Sequence, residues 1–159
     1  METSWVLVFA FAIGLVAGLR SLTAPAVVSW AANLKWLDLQ NSSLAWLATA
    51  TAAWILSAAA VAEIVIDKLP NTPSRKKPLG LIARFLMGAL SGAALCAAAH
   101  QSLIAGAVLG GLGGLAGAFL GYEMRSRLVK TLKVPDIVIA LFEDAVAIGS
   151  ALLIVSQYR

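Results

Sequence analysis

Apolar residues run along the chain in six stretches: about Trp5 to Leu19, Ala24 to Leu37, Leu44 to Ile66, Leu79 to Ala99, Leu103 to Tyr122 and Pro135 to Ser156. About twenty such residues cross a hydrocarbon core as a helix. Open sheet edges are not tolerated in lipid, so every stretch reads as a helix. The fourth and fifth stretches are parted only by His100-Gln101-Ser102 and form a tight hairpin. The pattern predicts an all-α, polytopic membrane helix bundle of five or six membrane-embedded helices, with residues 1–159 forming a single transmembrane domain. The second stretch is short and contains Asn33 and Lys35, so it reads as re-entrant or tilted. In a five-span alternative, the first two stretches make one kinked helix.

The polar connectors alternate in charge. Arg20 to Pro25, Lys68 to Pro78 and Glu123 to Pro135 carry basic residues, and each ends in a proline at the start of the next stretch, where proline is tolerated. The connectors at 38–43 and 100–102 have almost no positive charge. The positive-inside rule puts the basic connectors, 68–78 and 123–135 in either topology, on the cytoplasmic side. In the six-span reading three hairpins hang from that side and both termini lie outside. Trp5, Trp36, Trp46 and Tyr158 then fall near the outer interface as an aromatic belt.

Composition agrees. Hydrophobic residues make up 60% of the chain, charged residues 13%, and the mean hydropathy is +0.88, whereas a soluble domain carries roughly 25% charged residues. The net charge of +4 resides in the connectors, as topology requires, and points to no nucleic acid. One cysteine, Cys96, excludes an intrachain disulfide and a cysteine metal cluster. The N-terminal stretch lacks a positive n-region and is long for a signal peptide, so it reads as a retained first helix.

Glycines four apart share a helix face and allow close backbone approach. Gly14 and Gly18 make one such pair, and Gly88 and Gly92 another. The fifth stretch carries two series, Gly106, Gly110, Gly114 and Gly113, Gly117, Gly121. These read as helix-packing seams, with a homodimer seam or a sliding surface as sharper options. The fifth helix has glycine on so much of its circumference that it is expected to be central. GLVAGLRS…AP and GLAGAFLG…RSR…VP share the order glycine seam, basic turn, proline, a faint echo of a duplicated hairpin.

Glu143 and Asp144 stand side by side inside the last stretch, where a carboxylate costs a few kcal/mol or more unless protonated, paired or wet. Glu63 and Asp67 are four apart on one helix face, Asp136 and Glu143 lie seven apart, and Arg84 sits near the start of the fourth stretch. At 1.5 Å per residue from the basic connectors, Asp67, Asp136 and Arg20 lie near the interface. Glu63 and Arg84 are one to two turns deeper, and Glu143 and Asp144 about 12 Å in. The ion- or substrate-binding candidates are therefore Glu63, Asp67, Glu143, Asp144, Arg84, Arg20 and Asp136. The plainer alternative is an ion-pair network of Arg84 with Glu63 or Asp67, and of Arg20 or Arg125 with Glu143 or Asp144. A third reading is a metal-dependent enzyme acting on lipid headgroups, since clustered carboxylates near the interface could hold Mg²⁺. No serine–histidine pairing or phosphate-binding loop supports catalysis, and His100 stands apart from the acids as a connector residue. No cofactor is expected.

GLRSLTAPAVVSWA (18–31), AEIVIDKLPNTPSRKKPLGLIARFLMGALSGAAL (62–95) and VPDIVIALFEDAVAIGSALLIVS (134–156) resemble a family of small bacterial multi-pass integral membrane proteins of unknown function. The resemblance implies a multi-pass protein and supplies no activity. Arg20, Pro25, Glu63, Asp67, Pro70, Pro73, Arg84, Asp136, Glu143 and Asp144 lie inside the matching stretches. The leading expectation is a small transporter or channel of the bacterial inner membrane, working as a homo-oligomer in contact with lipid. A cytoplasm-facing acidic vestibule would bind a cation, a proton or a small solute.

Overall fold

A computed structural model describes residues 2–67, 78–132 and 135–159. They form six α-helices: α1 (Thr3–Leu19), α2 (Thr23–Asn33), α3 (Ala50–Ile66), α4 (Pro78–Ala98), α5 (Leu103–Leu132) and α6 (Asp136–Ser156), with a 3-10 turn at Ala45–Ala48 before α3. Three of them, α4, α5 and α6, are long and apolar enough to cross a membrane, and α1 and α3 are shorter apolar helices. Large apolar side chains such as Trp54, Leu79, Ile104, Phe142 and Leu153 point outward, as they do where lipid is the solvent. The molecule is an all-helical membrane protein.

The glycine seams set the centre. A Cβ on Gly110 would overlap the Gly88 carbonyl, one on Gly14 would overlap the Gly110 carbonyl, and one on Gly117 would overlap that of Leu15. The backbones of α1, α4 and α5 therefore touch, which only residues without a Cβ permit. Gly14 lies at Gly110 and Gly18 at Gly114 and Gly117, so α1 and α5 run parallel. Gly88 lies at Gly110 and Gly114, whereas Gly92 lies at Gly106 and Gly110, so α4 runs against α5. Helix α5 packs on both α1 and α4.

Outside this trio, α2 packs on α3, α4 and α6, and α3 packs on α2 and the 3-10 turn rather than on α6. Helix α1 stops at Arg20, whose backbone is extended (φ −138, ψ 108), and α2 returns antiparallel to it. The single kinked helix of the five-span alternative is thereby replaced by a hairpin. At 11 residues, α2 is about 16 Å long, too short to cross. The chain instead turns through residues 34–49, burying Leu37, Leu39 and Leu47 at the end of the bundle far from Arg20. Asn33, anomalous in an apolar stretch, donates from Nδ2 to the Ala48 carbonyl at 3.0 Å, and Ser29 Oγ donates to that of Leu47 at 2.6 Å. The side chains of α2 thus satisfy carbonyls of the 3-10 turn in a segment lying against the bundle.

Helices α2 and α4 end alike. Lys35 (φ 62) and His100 (φ 54) take the left-handed conformation. The following N–H groups, of Trp36 and Gln101, reach back to the carbonyls of Ala31 and Cys96, which is the Schellman arrangement. At this far end Trp5 packs near Phe9, Phe9 near Tyr158, and the Arg159 guanidinium lies 5.5 Å from the Trp36 ring. The first halves of α1 and the last turn of α6 are therefore neighbours.

One boundary differs markedly from expectation. Residues 123–132 were expected to form a connector; they continue α5. Glu123, Met124, Arg125, Arg127, Leu128 and Lys130 are good helix formers, and no glycine or proline interrupts them. An exposed Glu123–Arg127 pair, one turn apart at 2.8 Å, adds to this. The basic connector at 68–77, with Pro70 and Pro73, and residues 133–134 lie outside the described residues.

Candidate functional site

Arg20 is the hub. It follows the last residue of α1 and its side chain is fully buried. Nε donates to Asp144 Oδ1 at 2.5 Å, and Nη1 donates to Asp67 Oδ2. The two acids come from different helices: Asp67 caps the C-terminus of α3, and Asp144 lies two turns into α6. One guanidinium thus ties three elements together. A charge this deep is tolerated only because it is paired and hydrogen-bonded.

Glu63, one turn before Asp67, has a different role from its neighbour. Its carboxylate accepts from the N–H of Ser21 (2.9 Å), the Ser21 hydroxyl (2.6 Å) and the N–H of Leu22 (2.8 Å). Helix α2 has no side-chain cap of its own. Glu63 supplies one from α3, placing a negative charge at the positive end of the helix dipole. Arg84, buried on α4, does the converse for α1: its Nε donates to the Gly18 carbonyl at 3.0 Å, and its Nη1 donates to that of Gly80 at 3.0 Å. Positive charge at a helix C-terminus is favourable for the same reason.

A second tier lies toward the start of α6. Arg125 grips Asp136 with Nε (2.8 Å) and Nη2, and its Nη1 stands 3.7 Å from Glu143 Oε2. Asp136 and Asp144 are eight residues apart, about 12 Å along α6, and Glu143 brings the second tier up beside Asp144. On the α6 side, side-chain exposure falls from 59% at Asp136 to 20% at Arg125, 10% at Glu143, 9% at Asp144 and 0% at Arg20, while Asp67 on the α3 side is 16% exposed. The cluster therefore has an open end and a sealed end.

All seven sequence-predicted ionisable candidates lie at the same end of the bundle. The expected partners are partly exchanged. Arg20 takes Asp144 as expected but also Asp67; Arg125 takes Glu143 and, bidentately, Asp136. The expected pairing of Arg84 with Glu63 or Asp67 does not form among the described residues, because both Arg84 and Glu63 turn to backbone at helix ends. Sequence reasoning missed Ser21 and Leu22, whose contribution is mainly backbone N–H. The only advance signal was the proline two residues after Thr23, which marks a helix start.

Of the other candidates, Gly14, Gly18, Gly88, Gly92, Gly106, Gly110, Gly113, Gly114 and Gly117 all face backbone or side chains within the bundle, and Gly121 is buried. His100 lies at the opposite end, where it lines a cleft of about 30 Å³ with Asp38, Asn41, Ser42 and Ala97. Among the described residues no group of three or more His, Cys, Asp or Glu side chains is placed to hold a metal ion.

The sequence model of a family described as Domain of unknown function (DUF4126) matches residues 7–157, nearly the whole chain. No curated protein and no solved structure matches the chain.

Proposed function

The chain belongs to the DUF4126 family, a membership that brings no activity with it, and we propose that it is a small membrane transporter or channel gated by the Arg20 cluster. The observation that carries this reading is a single one. A fully buried guanidinium holds carboxylates from α3 and α6, two helices that do not pack closely on each other among the described residues. A proton or cation that takes Asp67 or Asp144 from Arg20 removes the tie between them. The acids thus serve as the binding groups, Arg20 as the tethered ion that holds the closed state, and Glu143 and Asp136 as the approach. The glycine-packed trio leaves no lumen between α1, α4 and α5, so the pathway runs along the α3–α6 side, and a second copy of the chain supplies its other wall. By the positive-inside rule the open end of the cluster faces the cytoplasm of a bacterial cell.

The test is flux. Purified protein in liposomes is expected to pass protons or a cation above empty liposomes, and Asp144→Asn is expected to fold while altering that flux. A second reading has its own support: Glu63 and Arg84 bond backbone at helix ends, as purely structural charges would. In that reading the charges only lock a structural or lipid-interacting protein. It predicts no flux across a broad panel of ions and solutes, and an Asp144→Asn variant that disassembles.

A further inference from the structure

Among the described residues, two buried donors on the turn between α1 and α2 have no partner. Arg20 uses Nε and Nη1 but leaves Nη2 unbonded, although the residue is 0% exposed. Three residues on, the Thr23 hydroxyl is also unbonded and the residue is 4% exposed. Thr23 and Ala24 begin α2, so their N–H groups have no acceptor within the helix, and Glu63 is engaged one step earlier, on Ser21 and Leu22. A buried donor without a partner costs about as much as a lost hydrogen bond, and native proteins seldom leave one dry.

Charge selects the occupant. An anion there would meet Asp67, Asp144 and Glu63; a cation would meet the Nη2 face of Arg20. A neutral oxygen that accepts from Nη2 and bonds the threonine hydroxyl suits both, and a water molecule is the smallest group that does so. We infer that the α1–α2 turn holds an internal water molecule bonded to Arg20 Nη2 and Thr23 Oγ1. Resting on the gating reading, this water is the hydrated inner end of the path to Asp67 and Asp144, so a proton or an ion shedding its shell meets a polar group beyond the sealed end of the cluster.

The site and the gate are tested separately. In an experimental structure at about 2 Å, a density peak is expected about 2.6–3.2 Å from Thr23 Oγ1 and Arg20 Nη2. Thr23→Val, of the same shape, removes the water's partner and is expected to lower the melting temperature by about 2–4 °C. Thr23→Ser keeps the hydroxyl and the peak. An empty position together with a Thr23→Val variant that melts higher than wild type overturns the inference, because it marks the hydroxyl as dry and merely unsatisfied. A peak at the site in a protein that passes no ion leaves the water in place and removes only the gate.

Discussion

Helices α1, α4 and α5 meet backbone to backbone through glycine, whereas α3 reaches α1 and α6 through charges and touches neither closely. In the first region position is fixed by shape: a carbonyl stands where any Cβ would have to go. In the second, α3 rests on α2, with Trp30 against Trp54 and Ser57, and its link to α1 and α6 is the Arg20 tie to Asp67 and Asp144. Shape cannot be switched by a ligand; a charge pair can, provided the ligand favours the separated state. In the proposed gating, that difference gives the rigid role to the trio and the movable role to α3.

The comparison can be broken at four places. Arg20→Leu should have the largest effect: it strands two carboxylates near the sealed end, and removing one member of a buried ionic group costs about 3–5 kcal/mol, read as a loss of thermal stability in detergent. Replacing Asp144 and Arg20 together should cost less than Arg20→Leu alone. Gly110→Ala comes next. Its methyl would enter the Gly88 carbonyl, and overpacking of this kind costs about 1–3 kcal/mol, with the loss confined to packing of α4 and α1 on α5.

Tyr158 offers a smaller test outside both regions. Its hydroxyl is buried without a partner among the described residues, and desolvation, with the Cys96 thiol a lesser cause, pushes the phenol's pKa up. The folded chain then keeps a proton that the unfolded chain releases near pH 10. Stability from this residue is complete below that pH and is lost as pH rises above it. Tyr158→Phe should flatten the alkaline decline in a pH series of melting curves and leave neutral-pH stability equal or higher. Gly149→Ala should have the smallest effect. Unlike the seam glycines, Gly149 has nothing within 4 Å of an added Cβ, so the helix-propensity gain of about 0.5–1 kcal/mol appears unopposed. A large loss there would mean that α6 has a close neighbour on that face.

Much of this was legible in the sequence. Hydropathy located all six helices, because burial in lipid demands long apolar runs. The four-residue glycine spacing marked close-packing faces on the first, fourth and fifth stretches, because that period is a property of the helix itself, but not which helix each face meets. Intramembrane charge located the cluster, since such charge is costly enough to be visible in a single chain. The pairing within the cluster was not legible. Arg84 and Glu63 find backbone groups at the ends of α1 and α2, and which backbone group is within reach depends on tertiary placement. The length of α5 was misjudged because polar composition was taken as a connector, although helix propensity through Lys130 favours continuation. Residues 34–37 and 44–49 were read as the ends of the second and third stretches, with 38–43 as a connector; the support of this segment by Ser29 and Asn33 is a long-range contact that periodicity does not carry.

The most direct test of a fixed trio and a charge-held α3 is a pair of spin-label distances in a Cys96→Ala background. One pair joins α3 and α6 through exposed Val61 and Leu141, and the other joins α4 and α5 through exposed Leu86 and Val108. With Asp67→Asn and Asp144→Asn together, the Val61–Leu141 distribution should lengthen and broaden while the Leu86–Val108 distribution stays as in the parent. An unchanged Val61–Leu141 distance, or an equal change in both pairs, would contradict a movable α3 tied by Arg20.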